Sequence, residues 1–275
     1  EEPGITGTKP GLENEIHGKI QCIYNLEDDK VEAPFWYDNY IVPKKLEVFL
    51  DDKKINNTNT TKINGKGKHN ATYVIYDGNF DMQNMFKNVP YLTEVEMVSE
   101  KKCNISSMAN AFENCTNLNN FSIKGFDSSN VVSLKKLFYN TPLKNAKFED
   151  FNTENTRDMS SMFSSTKIEK VNLAFMNTKN VLDMNNMFGD CTELTSLDIT
   201  KFDTSNVKNM NYMFSHCESL SELNLANFKT SQVEDMTHLF ADCYKLKKIK
   251  ISNSFNTSSV EDMSSMFENN NNLEE

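Results

Sequence analysis

The sequence predicts an α/β solenoid, a right-handed stack of about eight strand-plus-short-helix repeats behind a small, mostly β domain. One observation is a strict recurrence. The pair Met213-Phe214 returns in Met-Phe, Leu-Phe or Ala-Phe form. Its ring positions are Phe86, Phe112, Phe138, Phe163, Phe188, Phe214, Phe240 and Phe267, a candidate core ladder. The steps are 25 to 27 residues, and a period in that range marks a stacked array of like units. A second observation is a change of hydrophobic period inside residues 202–227, FDTSNVKNMNYMFSHCESLSELNLAN. Val207, Met210, Met213 and Phe214 fall on one face of a short helix, with Thr204, Ser205 and Asn206 placed to cap its start. Leu220, Leu223 and Leu225 then alternate as a strand does. The third is that this strand triplet repeats, as Leu92/Val95/Met97, Leu118/Phe121/Ile123, Leu143/Ala146/Phe148, Ile168/Val171/Leu173, Leu194/Leu197/Ile199 and Leu246/Ile249/Ile251. One repeat cannot bury its apolar face alone. Eight, stacked at the strand spacing, bury a continuous one in a rod roughly 40 Å long.

Taken in order, residues 1–15 carry Pro3, Gly4, Gly7, Pro10 and Gly11 and read as an extended arm. This polar opening has the look of a mature end from which a leader has been removed. Residues 16–73 read as a small β domain that caps the first coil. Ile16, Ile20, Cys22 and Tyr24 have the even spacing of a half-buried strand. Residues 44–55 read as two strands around Asp51-Asp52, and residues 56–70 as a polar loop. Phe35, Trp36, Tyr37, Tyr40, Ile41 and Val42 admit two readings, the core of the cap or an exposed surface for a sugar or a partner. Residues 74–275 are the solenoid. Leu273 aligns with Leu220 and Leu246, so the eighth coil stops as its strand begins. Such an end is expected to be covered, by further chain or by another copy.

The pattern FDTSNVxxMxxMFxxCxxLxxLxL resembles the BspA-type leucine-rich repeat of surface proteins from bacteria, mycoplasmas and protists. Roughly residues 74–275 carry the resemblance, in eight copies. It implies a leucine-rich-repeat-like solenoid and a non-catalytic role at the cell surface or outside the cell.

Four of the six cysteines, Cys115, Cys191, Cys217 and Cys243, hold one repeat position three residues after the ladder Phe, and read as buried free thiols. The remaining pair, Cys22 and Cys103, is a candidate disulfide tying the cap to the second repeat. Glycosylation sequons occur at Asn56, Asn59, Asn70, Asn104, Asn114, Asn120 and Asn256. With 38 Asn and 43 Ser plus Thr in the chain, about six are expected by chance, so their number carries no weight. The residue after the turn Phe or Met, as at Asp127, Asn152, Asn177, Asp203 and Asn256, is expected to stack into a mutually bonded polar row.

His17, His69, His216 and His238 are scattered, and no nucleophile elbow, phosphate loop, zinc motif or calcium loop appears in the chain. The expectation is no enzyme and no cofactor. A net charge of −10 disfavours nucleic acid, and no apolar run is long enough to span a membrane. The partners expected are a protein or glycan at a surface, or copies of the chain itself. Acidic Glu94 and Glu96 in the first coil and basic Lys247, Lys248 and Lys250 in the last favour head-to-tail contact. Two functions follow, an extracellular adhesion scaffold or a subunit of a head-to-tail filament.

Overall fold

The computed structural model describes residues 15–29, 32–55 and 62–274. The arm over 1–14 therefore lies outside the described residues, as do Asn56 and Asn59. The strands are β1 (Gly18–Leu26), β2 (Glu32–Pro34), β3 (Leu46–Leu50), β4 (Lys53–Ile55), β5 (Lys62–Asn64), β6 (Gly67–Ile75) and β7 (Asn79–Asp81), followed by β8 (Leu92–Val98), β9 (Asn104–Ser107), β10 (Asn120–Lys124), β11 (Asn145–Glu149), β12 (Glu222–Asn224) and β13 (Lys248–Lys250).

No helix occurs among the described residues, which corrects the predicted α/β class. The molecule is a β-solenoid of about seven turns. The segment expected to be helical shows why. The N–H groups of Met210, Tyr212, Phe214 and His216 donate to Asp235, Thr237, Leu239 and Ala241 of the next coil. Between them, Met213, Ser215 and Cys217 each close a tight turn onto the residue three before. A helix sends every N–H to the fourth residue back and keeps φ negative throughout. Here every fourth residue is left-handed, as with Tyr212 (φ 55°) and His216 (φ 55°), or Asn110 (φ 57°) and Asn114 (φ 59°). Overlapping turns and one helix face put apolar residues at nearly the same spacing, so the hydrophobic pattern alone does not separate them. Thr204 caps no helix. Its hydroxyl donates to Lys229 O and accepts from Lys229 N at 3.0 and 2.8 Å, and Ser128, Thr153, Thr178 and Thr230 clamp their next coils in the same way.

The ladder rings Phe86, Phe112, Phe138, Phe163, Phe188, Phe214, Phe240 and Phe267 stack in order, with centroids 5.4 to 6.0 Å apart and planes within 22°. The residues that position these rings are turns rather than the helix expected to carry them, Phe112 and Phe138 included. Phe112 N–H donates to Leu137 O and Phe138 N–H to Met162 O, both in the next coil and both at 3.0 Å. Phe121 of β10 packs edge-on against these two rings, at 5.4 Å from Phe112 and 4.9 Å from Phe138. Strand and turn sides of the coil thus meet through aromatic contacts. Seven of the eight rings are buried. Phe267 corrects the expectation of a uniformly buried ladder. It stacks on Phe240 but keeps 48 % exposure, because no further ring lies on its outer side among the described residues. The ladder thiols of Cys115, Cys191, Cys217 and Cys243 donate to the carbonyls of Phe86, Phe163, Phe188 and Phe214, one coil back.

One seven-stranded sheet runs in the order β11-β10-β8-β1-β6-β3-β4. The first solenoid strands pair in parallel, and β1 joins β8 antiparallel, so the N-terminal domain extends the solenoid's own sheet. β3 and β4 form a hairpin closed by Asp51 (φ 47°) and Asp52 (φ 64°), the two left-handed positions of a type I′ turn. The polar loop expected over 56–70 is shorter than that, since β5 and the start of β6 fall within it. Gly65 (φ 98°) and Gly67 (φ 111°) supply the bend between these strands, which no side-chain-bearing residue adopts readily. Phe35, Trp36 and Tyr40 are core, while Ile41 is 88 % exposed. The hydroxyls of Tyr24 and Tyr73 converge on Phe35 O at 2.8 Å each.

Candidate binding surface on the sheet

Strand alternation sends one set of side chains into the core and the other outward. β1 turns out Lys19, Gln21 and Asn25, β8 turns out Glu94 and Glu96, and β11 turns out Asn145 and Lys147. Because β1 lies between β6 and β8, residues far apart in the chain become neighbours on one face. Gln21, Thr72, Glu94, Glu96, Asn120 and Lys147 line a trough of about 740 Å³ there. Along its side, Asn145 Nδ2 donates to Asn120 Oδ1 at 2.9 Å. A second hollow of about 400 Å³ follows along the solenoid among Asp198, Glu222, Asn224 and Lys250. Amides, hydroxyls and charges of both signs on a rigid sheet are suited to orienting a polar ligand. Among the described residues, no group of three His, Cys, Asp or Glu is arranged to hold a metal ion.

The sequons fall in different places. Asn70 is exposed on β6, and Asn256 is exposed with its Oδ1 accepting from Ser258 N. Asn104, Asn114 and Asn120 are half-buried members of amide ladders. Asn104 Nδ2 donates to Asn79 and Asn114 Nδ2 to Asn88, both at 2.8 Å, while Asn120 accepts from Asn145. A glycan at Asn104 or Asn114 would have to grow from a nitrogen already placed between coils.

Cys22 and Cys103 are both buried free thiols, which corrects the candidate bridge. A Cβ built at Gly18 would lie 3.5 Å from the Cys103 Cβ. Cys22 is four residues further along the same strand, about 13 Å away by strand rise, beyond disulfide reach. Cys103 Sγ instead donates to Asp77 O at 3.4 Å. Burial, with the Asp77 charge second, pushes its pKa up to about 11.

Each polar side chain at the turn position bonds its own backbone rather than its neighbour's side chain. Asp127, Asn152, Asn177, Asp203 and Asn256 accept from the N–H two residues on, forming Asx-turns. His216 and His238 serve coil-to-coil contacts, with Nε2 3.4 Å from Asp242 and 3.7 Å from Glu268 respectively, and His238 stacks on Tyr212 at 4.6 Å. His69 sits between Asp51 and Gly65 O, and the Asp51 hydrogen bond raises its pKa.

Two features escaped sequence reasoning. Gln21 and Thr72 join the trough only through the β1–β8 pairing, which no local pattern signals. Glu113 is buried on the solenoid between Lys87 at 2.9 Å and Lys136 at 3.5 Å. The repeat register, which sets these three residues on successive coils, was the signal that could have found it.

A family model described as Mycoplasma protein of unknown function, DUF285, matches residues 80–195 and 165–275. No curated protein and no solved structure matches the chain.

Proposed function

We propose, from the premise that the chain belongs to the DUF285 family of Mycoplasma proteins, that it is a non-catalytic interaction scaffold acting at the cell surface or outside the cell. The observation that carries this reading is the trough of about 740 Å³ on the outward sheet face. It mixes amides, hydroxyls and charges with apolar groups, it lies on paired strands apart from Asp52 in the β3–β4 turn, and two parts of the chain build it together. Rigid sheet positions give a ligand fixed hydrogen-bonding partners at low ordering cost. The resemblance of the repeat to BspA-type surface proteins supports the location and the class of activity. A protein segment or a glycan, rich in hydrogen-bonding groups, matches the amides and hydroxyls of Gln21, Thr72, Asn120 and Asn145.

The test is binding of the purified chain to an array of immobilised glycans and extracellular-matrix proteins. Thr72→Trp fills the trough from a half-buried outward position and should abolish the signal while leaving the melting temperature within a few degrees. Binding that survives Thr72→Trp would move the site elsewhere. Surface biotinylation of the intact cells that make the protein tests the location, and labelling only after lysis would sink it.

A further inference from the structure

The outward face carries a charge pattern along the solenoid that runs from the trough through the second hollow. At one outward position of the coils stand Glu96, Lys147, Asp198 and Lys250, two coils apart, with Asp198 in a coil that forms no strand there. Neutral Ser122, Asn172 and Asn224 hold the coils between them. Coils spaced by about 4.8 Å put successive charges about 10 Å apart with alternating sign. Glu96, Lys147, Asp198 and Lys250 are all exposed. Asp198 Oδ1 accepts from the backbone N–H and hydroxyl of Thr200, which keep its carboxyl below the usual range.

We propose that this face docks a second copy of the chain, face to face, with the solenoids antiparallel about a two-fold axis through the Asn172 coil. The proposal rests on reading the sheet face as a recognition surface, and it names the partner. Reversing the coil order about Asn172 brings Glu96 opposite Lys250 and Lys147 opposite Asp198. It sets Ser122 opposite Asn224, and Asn172 on itself. In the adjacent row, Glu94 falls opposite Lys248 twice, against a single like-charge contact where Lys170 meets its own copy at the axis. Every pairing of charges in the alternating row is of opposite sign, and the symmetry makes each pair occur twice. The other face-to-face two-fold, along the solenoid axis, keeps the coil order. It sets each coil against itself, so the acidic first coil with Glu94 and Glu96 and the basic last coil with Lys247, Lys248 and Lys250 each meet their own charge, and both repel. Seven coils of polar face bury on the order of 1,000 Å² in total, the lower end for a specific interface. Exposed ion pairs add little affinity each but fix register and orientation. The dimer is therefore weak, selective in register and sensitive to salt.

Sedimentation velocity of the full chain, run from micromolar to several hundred micromolar, tests this. A dimer is expected at low ionic strength, with its dissociation constant rising at least about tenfold in roughly 0.5 M salt. Lys147→Asp introduces two repulsive pairs and should weaken the dimer at least about tenfold. Adding Asp198→Lys exchanges the charges and should bring affinity back to within about threefold of the parent. The exchange Glu96→Lys with Lys250→Glu repeats the test without touching the Asp198 turn, and circular dichroism checks that each variant folds. A chain that stays monomeric, a dimer indifferent to Lys147→Asp, or exchanges as weak as the single reversals would each overturn the proposal. A monomer that still loses array binding with Thr72→Trp would sink the dimer and leave the scaffold reading standing.

Discussion

Each inner ring of the phenylalanine ladder is shared by two interfaces. Phe214 lies 6.0 Å from Phe188 and 5.8 Å from Phe240, with planes within 2° of both. Phe214→Ala removes both contacts from a fully buried site, and urea melts should show a loss of about 3–5 kcal/mol. A loss under about 1 kcal/mol would mean that the ring does not bridge coils. The thiol row adds a pH dependence. Burial pushes the Cys191 and Cys243 thiols up to about 12, against an ordinary 9.0. A raised folded-state pKa leaves stability intact below the unfolded value and drains it as pH climbs towards the folded one. The melting temperature should therefore hold up to about pH 9 and fall between about 9 and 12. Cys191→Ala should make that fall shallower, and an unchanged slope would count against the burial of this thiol.

At the level of the element, the turn side of each coil depends on residues that tolerate a left-handed backbone. Asp190 is exposed at φ 59°, with its N–H bonded to Ser215 O. Asp190→Val places a β-branched side chain there and should cost about 1–2 kcal/mol, while Asp190→Gly should be near neutral. In a helix the order would reverse, with Val tolerated better than Gly, so this pair of melts separates turns from helix. Far-UV circular dichroism should likewise lack the double minimum of an α-helix. These positions were visible in the sequence as an abundance of Asn, Asp and Ser around each Met-Phe pair. Their meaning was not, because the apolar spacing around them fits one face of a helix as well as it fits overlapping turns, and Asn and Asp also occur in helices.

For the whole molecule, neighbouring coils bond in the same way along the stack, so stability should be close to a sum over neighbours. Deleting residues 178–203 joins Asn177 to Thr204 and removes the Thr178–Asp203 clamp, while Thr153 keeps its clamp on Asn177 and Thr204 keeps its clamp on Lys229. The shortened chain should fold, with its urea m-value reduced by roughly a tenth, the share of the chain that one coil makes up. A chain that fails to fold would show that its coils are not interchangeable. The N-terminal domain follows a different rule. Its sheet is continuous with β8, β10 and β11, so Val95, buried between β1 and β10, belongs to both parts. Val95→Asp should lower the stability of the domain and of the first coils together, read as parallel loss of hydrogen-exchange protection.

The structure has about seven turns against the eight expected, whereas the register of the coils, the ladders of Phe and Cys and the in-out order of the strands were legible from residue type and spacing alone. These are periodic, and each repeat restates them. Whether the turn side was helix or overlapping turns was settled by bonds to the next coil, 24 to 26 residues away, that no window within one repeat contains. The same holds for the face. Glu94 and Glu96 were readable as outward residues, but their meeting with Gln21 and Thr72 required β1 to pair across some seventy residues with β8. Local chemistry determined what each coil buries. Long-range hydrogen bonding decided which surfaces the coils present together.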